Sequence, residues 1–289
     1  MKPEISIVII TYNSSNVILD CLKSVYDDAF EVIVVDNNSK DQTLEIIKSF
    51  SNKIKIISLK QNKGYPIACN EGLKIAKAPH TLILNPDIIT TKQDILTLLE
   101  ETKKHENCAI SGPAVYIRHE NGRDEIDYYA NYSLQKPINK VNRILGAVML
   151  FNMKHLKQIG LFDENIFMYY EDEEISNRAI KKGYELLVFP ASKFYHLAKK
   201  SSVQNTKILA FKAWHLVWSK LYYRKITQGS FSSLRLNLAF ILRFFLKTLL
   251  NLAKANKTQI LINFSRLKAS FAYLFGFKAF DSKENPRGM

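Results

Sequence analysis

The sequence predicts an α/β domain built on a parallel sheet, followed by a basic helical extension. Three observations predict it. Short β-branched runs alternate with amphipathic stretches over the first two-thirds of the chain. The connections between them are only a few residues long. The charge balance then changes abruptly: residues 1–196 carry 24 Lys+Arg and 25 Asp+Glu, whereas residues 197–289 carry 17 Lys+Arg and two acids, Asp281 and Glu284. The expected division is 1–200 for the α/β domain and 201–289 for the helical region. With 289 residues and 47% hydrophobic side chains, the chain can bury a sizeable core, which excludes a disordered chain. Its 10 Gly and 8 Pro exclude a collagen-like one.

The elements follow in order. ISIVII (5–10) is a β-branched run suited to a strand buried on both faces. TYNSS follows as a loop with Ser14 or Ser15 as N-cap, and Val17, Ile18, Cys21, Leu22 and Val25 give helical spacing. EVIVVD (31–36) is a second strand ending in the polar turn NNSKD, and residues 43–50 are a second helix with Leu44, Ile47 and Phe50 on one side. A third strand centres on 55–59, GYPIACNEGLKIAK is a third helix, HTLILN (80–85) a fourth strand, and 92–105 a fourth helix. MKPEISIVII reads as the start of a strand, since a signal peptide would show a charged leader and a small-residue cleavage site. Cys21, Cys69 and Cys108 fit no zinc spacing and are expected as buried thiols in a reducing compartment.

In open α/β sheets ligands bind beyond the carboxyl ends of the strands. Polar residues collect there: Tyr12 and Asn13 after the first strand, residues 36–41 after the second, Asn85-Pro86-Asp87 after the fourth. No glycine-rich dinucleotide or P-loop pattern follows any strand, so the site is built from carboxylates and amides. Asp36 ends an apolar strand; read alone it is an Asx-turn or capping residue, though the same carboxylate can accept an imide N–H. Asp87 offers one carboxylate, too little for Mg²⁺ without help from a diphosphate. Glu171, Asp172, Glu173 and Glu174 follow Phe167-Met168-Tyr169-Tyr170 at a helix start. Acids there complement the helix dipole, but four in a row need an offsetting positive group such as Arg178, a metal or a substrate. Aromatic packing beside a carboxylate is also how a general base acquires a raised pKa.

The ordered set SIVIITYN, VVDNNSKDQT, QNKGYPIACNEG, LNPDI, GAVMLF, GLFDENIFMYYEDEE and FYH resembles the family 2 glycosyltransferases over residues 4–200, with the rhamnosyltransferase-like subgroup of O-antigen and cell-wall polysaccharide assembly as nearest group. The resemblance implies a nucleotide-diphospho-sugar transferase (GT-A type) domain with a mixed, mainly parallel central sheet. It implies inversion of the anomeric centre, with Asp172 as general base. Thr11, Tyr12 and Asn13 match the loop along the base, Asp36 the acceptor of the base N3–H, and Asn38 and Ser39 the same pocket. Asn62, Gly64 and Asn70 match a stretch near the ribose and donor sugar. Asp87 matches the last acid of a D-x-D-like motif that binds a divalent cation, Mg²⁺ or Mn²⁺, through the diphosphate, and His196 a histidine that contributes to the metal or diphosphate site. Glu171, Glu173 and Arg178 lie beside the base, toward the acceptor. Asn85 stands where relatives often carry the first acid, and Pro66 and Glu71 depart from the glycine- and asparagine-rich pattern.

The implied partners are a dTDP- or UDP-sugar donor, with rhamnose, hexose or N-acetylhexosamine open, and a glycan or polyprenyl-linked acceptor. The basic region pairs aliphatic bulk with Arg235, Arg243, Lys247 and Lys254, a pattern for an anionic membrane surface and not for nucleic acid. Its uninterrupted apolar runs are shorter than the ~20 residues of a bilayer span, so it is expected to lie on the membrane or to pair two protomers. The expected place is the cytoplasmic face of the cell membrane. TYNSSNVILD lacks the Gly and basic residues of a pyrophosphorylase loop, and the chain has no Q-x-x-R-W of the processive synthases.

Overall fold

A computed structural model describes residues 3–119, 123–126, 133–197, 205–281 and 285–288. The chain forms two compact units: Met1–Gln61, Ile67–Phe162 and Asp172–Ser202 make one; Asn62–Pro66, Asp163–Glu171 and Val203–Met289 make the other. The expected boundary at 200/201 lies outside the described residues. The second unit also takes in two short pieces from within the first two-thirds, which a boundary drawn from composition does not anticipate.

The first unit alternates β1 (Ile5–Thr11), α1 (Ile18–Val25), β2 (Phe30–Asp36), α2 (Thr43–Phe50), β3 (Lys55–Ser58), α3 (Tyr65–Ile75), β4 (His80–Leu84), β5 (Ile88–Ile89) and α4 (Lys92–Lys103). Then come β6 (Cys108–Arg118), β7 (Asp124–Ile126), β8 (Asn139–Lys140), β9 (Val148–Asn152), α5 (Met153–Ile159), α6 (Glu171–Lys181) and β10 (Glu185–Leu197). One mixed sheet runs β3-β2-β1-β4-β9-β6-β10-β5, with β7 on β6 and β8 on β10. β3, β2, β1 and β4 are parallel, β9 is antiparallel to both neighbours, and most paired residues lie in parallel ladders.

Burial explains the unbroken apolar runs. Ile5, Ile7 and Ile9 pack with Ile18, Leu22, Ile47 and Leu98 of α1, α2 and α4 on one face. On the other, Val8 lies so close to Gly72 of α3 that a Cβ there would stand 2.2 Å from its Cγ1. Both faces of β1 are covered, so the strand needs no polar alternation. The cap of α1 differs from expectation: Val17 is the N-cap, without a side-chain bond, and Ser14 serves through its backbone carbonyl, which accepts from Val17 and Ile18. The three cysteines are buried and free, as expected.

The second unit is three mutually packed helices, α7 (Thr206–Gln228), α8 (Ser230–Ala253) and α9 (Lys257–Leu274). Its core holds Phe167, Trp214, Val217, Trp218, Leu221 and Phe244. One expectation is corrected here. By length and composition α8 is sufficient to cross a bilayer, because two cations within its most apolar stretch do not cancel the leucines and phenylalanines around them. The count of uninterrupted apolar residues hid this.

Candidate active site

The carboxyl ends of β2, β1 and β4 stand side by side, and the expected acids follow them. Thr11 is in register with Asp36. The buried Asp36 carboxylate accepts from the Thr11 hydroxyl at 3.0 Å and from both the backbone N–H, at 2.9 Å, and the hydroxyl of Ser39. A carboxylate has about four acceptor positions, so one remains. Around it the loops interlock: Asn13 N–H donates to Ser39 Oγ at 2.8 Å, and Lys40 N–H to Asn13 Oδ1 at 2.7 Å. Asn13 and Asn38 both sit at positive φ, 51° and 68°, which asparagine tolerates better than most residues. Tyr12 is 40% exposed beside this pocket wall, available to a planar ligand.

β4, whose end leads into the turn of Asp87, lies two strand spacings from β2, about 10 Å across the sheet. Asp87 is 1% exposed; Oδ2 lies 3.2 Å from His196 Nε2, while Oδ1 is buried without a hydrogen-bond partner. β10 brings the histidine there by pairing His196 with Ile88, and Leu197 N–H donates to Asp87 O at 2.8 Å. An orphaned buried carboxylate oxygen is costly unless something completes it, and a cation held jointly with a diphosphate fits that need. Among the described residues no three His, Cys, Asp or Glu group into a self-sufficient metal site.

Asp172 is tied to the same edge through β9. Asn85 N–H donates to Ala147 O at 3.0 Å, and the adjacent Gly146 N–H donates to Asp172 Oδ2 at 3.2 Å. Asp172 Oδ1 accepts from Glu173 N–H at 2.9 Å, and Arg143 Nε stands 3.9 Å from Oδ2. Burial pushes the Asp172 carboxyl above its ordinary value, against the opposing pull of Arg143 and the two N–H groups. Of its neighbours, Glu173 pairs with Arg143 at 2.9 Å, and Glu174 takes Arg178 through Nε and Nη2 at 2.8 and 2.6 Å. Arg178 also donates to Ile159 O and Leu161 O, so it anchors the preceding turn as well as offsetting charge. Arg143 is the residue sequence reasoning missed; its only signal is a lone cation in NRILG ahead of GAVMLF.

Three residues expected near the donor make structural contacts. Asn70 gives both ends of its amide to Phe162, Nδ2–H donating to O and Oδ1 accepting from N–H, each at 3.0 Å. It is a buried clamp on the segment leading to the acids. Asn62 and Gly64 belong to the second unit. Asn62 Oδ1 accepts from Gly64 N–H at 3.0 Å, and Gly64 has φ 86° with Phe167 so near that a Cβ would lie 2.5 Å from its carbonyl oxygen. Glycine is required there by packing. Tyr169 and Tyr170, immediately before α6, are also at positive φ, 67° and 68°, a strain of order 1–3 kcal/mol each that the surroundings must hold. Burial, then the Glu171 charge, pushes the Tyr169 hydroxyl up to about 12. Glu171 itself falls in the second unit.

A parallel half-sheet with carboxylates along its carboxyl edge, continued by antiparallel and parallel strands, defines a nucleotide-diphospho-sugar transferase fold of the GT-A type. The glycosyl transferase family 2 model matches residues 6–159, more than half of the chain. The chain therefore belongs to glycosyl transferase family 2. It is 28% identical over 199 residues to poly-beta-1,6-N-acetyl-D-glucosamine synthase of Staphylococcus epidermidis, covering 64% of this chain and 48% of that protein. It spans about half the length of the curated relatives it matches first. Among solved structures it resembles GalNAc-T7 crystallised with UDP, GalNAc and Mn²⁺ (TM-score 0.57, 17% identity, 68% of this chain and 43% of that one). It likewise resembles S. aureus TarS (TM-score 0.54, 21% identity, 79% and 44%). These likenesses carry the fold.

Proposed function

We propose that the protein is an inverting glycosyltransferase of cell-surface polysaccharide synthesis, moving a sugar from a nucleotide diphosphate to a glycan or polyprenyl-linked acceptor at the inner face of the cell membrane. The observation that carries it is the rung Asn85–Ala147 with its neighbour Gly146–Asp172, which supports a half-buried carboxylate of raised proton affinity beside the turn that holds Asp87. Asp172 takes the proton of the acceptor hydroxyl as that oxygen attacks C1 of the donor. The C1–oxygen bond breaks toward the diphosphate, and the configuration at C1 inverts. Such assistance is worth about 10²–10⁴-fold. Asp36 receives the base N3–H on its remaining acceptor position, between Thr11, Tyr12 and Ser39. Asp87 Oδ1 would hold a divalent cation, with His196 orienting the carboxylate, and such a cation would supply positive charge opposite the leaving diphosphate.

The donor is a dTDP- or UDP-sugar. Resemblance to the rhamnosyltransferase-like group favours dTDP-rhamnose, and the name of the staphylococcal relative favours UDP-N-acetylglucosamine. A thermal-shift panel of both donors and UDP-glucose, with and without Mn²⁺, tests the reading, because a bound donor stabilises by mass action. Stabilisation by one donor, lost in Asp36→Ala, is expected. No response to any nucleotide diphosphate overturns it.

A further inference from the structure

The three helices of the second unit carry twelve Lys and Arg and not one Asp or Glu between residues 206 and 274. α8 presents three distinct sides. Ser233, Asn237 and Phe244 face the bundle, with Ser233 Oγ donating to Leu221 O and Asn237 Nδ2–H to Ser270 O. Away from that seam runs a ridge, recurring every third or fourth residue, of Leu234, Leu238, Leu242, Phe245, Leu249 and Leu252. These residues are 42–61% exposed. Exposed Leu246 and Leu250 carry this apolar face around the helix to Arg243, Lys247 and Lys254, which recur along its margin. Only 11% of the most apolar stretch of α8 is buried, so this is not a core helix.

α9 adds exposed Leu261, Phe264, Phe271 and Leu274. Cations lie over exposed rings, Lys268 over Phe264 at 4.9 Å and Arg235 over Phe231 at 6.0 Å, an arrangement suited to the level of lipid headgroups. Burial, and then the charge of Arg243, lowers the Arg266 pKa from its ordinary value.

We propose that the exposed face of α8 is a monotopic docking surface for an anionic lipid bilayer: the helix lies in the membrane plane, its leucine ridge among the acyl chains and its cationic margin among phosphates. Charge complementarity chooses this occupant. A second copy of the chain would bring the same acid-free, positively charged bundle against itself, whereas an anionic leaflet neutralises it. Spanning is disfavoured by the cations, since Arg243 and Lys247 sit near the middle of α8 and would be placed at the bilayer centre. The proposal deepens the membrane-bound acceptor reading above, and vesicle binding tests it without any catalytic step.

The experiment is co-sedimentation of the full chain with vesicles of phosphatidylcholine alone and of phosphatidylcholine with phosphatidylglycerol in equal parts. The protein is expected to pellet with the second and stay largely free of the first. Leu238→Ser, Leu242→Ser and Leu249→Ser together should cut partitioning by roughly tenfold or more, since each removes buried apolar area. Their helix content by circular dichroism should stay unchanged. Arg243→Gln, Lys247→Gln and Lys254→Gln together should remove the preference for phosphatidylglycerol, as should high salt acting on the wild type. Should either variant fail to fold, the lipid and salt dependence of the wild type decides alone. Three results overturn the proposal: a full chain that stays in the supernatant with both vesicles, a dimer that the leucine variant converts to monomer while vesicles are ignored, or an α8 that resists carbonate extraction as a spanning segment does.

Discussion

Replacing Asp172 by Asn should stabilise the protein increasingly as pH rises while it removes turnover. The native fold raises the Asp172 pKa, chiefly by burial. The folded state therefore binds this proton more tightly than the unfolded chain, where a carboxyl titrates near 3.9. Below that pH the side chain is neutral in both states and costs nothing. As pH rises through the unfolded and then the folded value, ionisation is penalised only in the fold, and stability falls until the folded group is fully charged. Every tenfold in proton affinity is worth about 1.4 kcal/mol, which for a chain of this size is several degrees in Tm at most. Asn carries no charge and escapes the penalty. It can keep one acceptor for Glu173 N–H or Gly146 N–H but not both, a loss of about 0.5–1.5 kcal/mol that does not vary with pH. The measurement is the Tm difference between variant and wild type across pH, in which other titrating groups cancel. It should climb from acid to neutral pH and then level off, while turnover drops by about 10²–10⁴-fold. A difference that is flat, or that falls with pH, refutes the environment assigned to Asp172, and near-normal turnover passes the role to Glu171 or Glu173.

Arg143→Gln removes a charge that opposes the rise of the Asp172 pKa, so the acid limb of the rate profile should move to higher pH; an unmoved limb separates Arg143 from the base. Asp87→Asn should abolish the Mn²⁺ dependence of UDP binding measured by thermal shift, because Oδ1 no longer carries charge for a cation; retained dependence places the metal elsewhere. Gly72→Ala should destabilise by about 1–3 kcal/mol through overpacking against Val8, and adding Val8→Ala should recover part of that in denaturant titrations. Strict additivity of the two would show that the methyl points elsewhere.

The first half of the sheet was legible because β1, β2 and β4 are short β-branched runs buried on both faces, and α1, α2 and α4 show helical spacing. The second half was not. β6 carries Gly112-Pro113, and β10 carries Pro190 and slips register between Phe189 and Lys193, so neither keeps a period that pattern reading can follow. Polar strand ends pointed to Asp36 and Asp87 because chain position alone puts them at the carboxyl edge. The partners of Asp172 were invisible: Gly146 and Arg143 lie 26 and 30 positions from the groups they bind, and no local signal encodes that closure. Motif matching likewise located Asn70 and Gly64 but not their contacts, which turn out to be Phe162 and Phe167.

Three acids near one sheet edge could simply repel one another, and their surroundings show why they need not act alike. Asp36 is held by three neutral donor groups of Thr11 and Ser39, which fix its orientation and leave one acceptor position for a donor group. Asp87 keeps one oxygen bare in a buried place with a histidine on the other, which suits a cation. Asp172 is half-buried with a guanidinium almost 4 Å away, close enough to moderate its charge and too far to quench it, and its desolvation pushes it toward holding a proton. Environments that separate carboxylates in this way suit the three proposed roles: reading the base, carrying charge for the leaving group, and taking the proton. Exchanging the surroundings should exchange the behaviour. Removing the Ser39 and Thr11 hydroxyls together should therefore free the Asp36 carboxylate from its fixed orientation and weaken nucleotide binding in thermal shift, whereas unchanged binding would show that the hydroxyls serve only the fold.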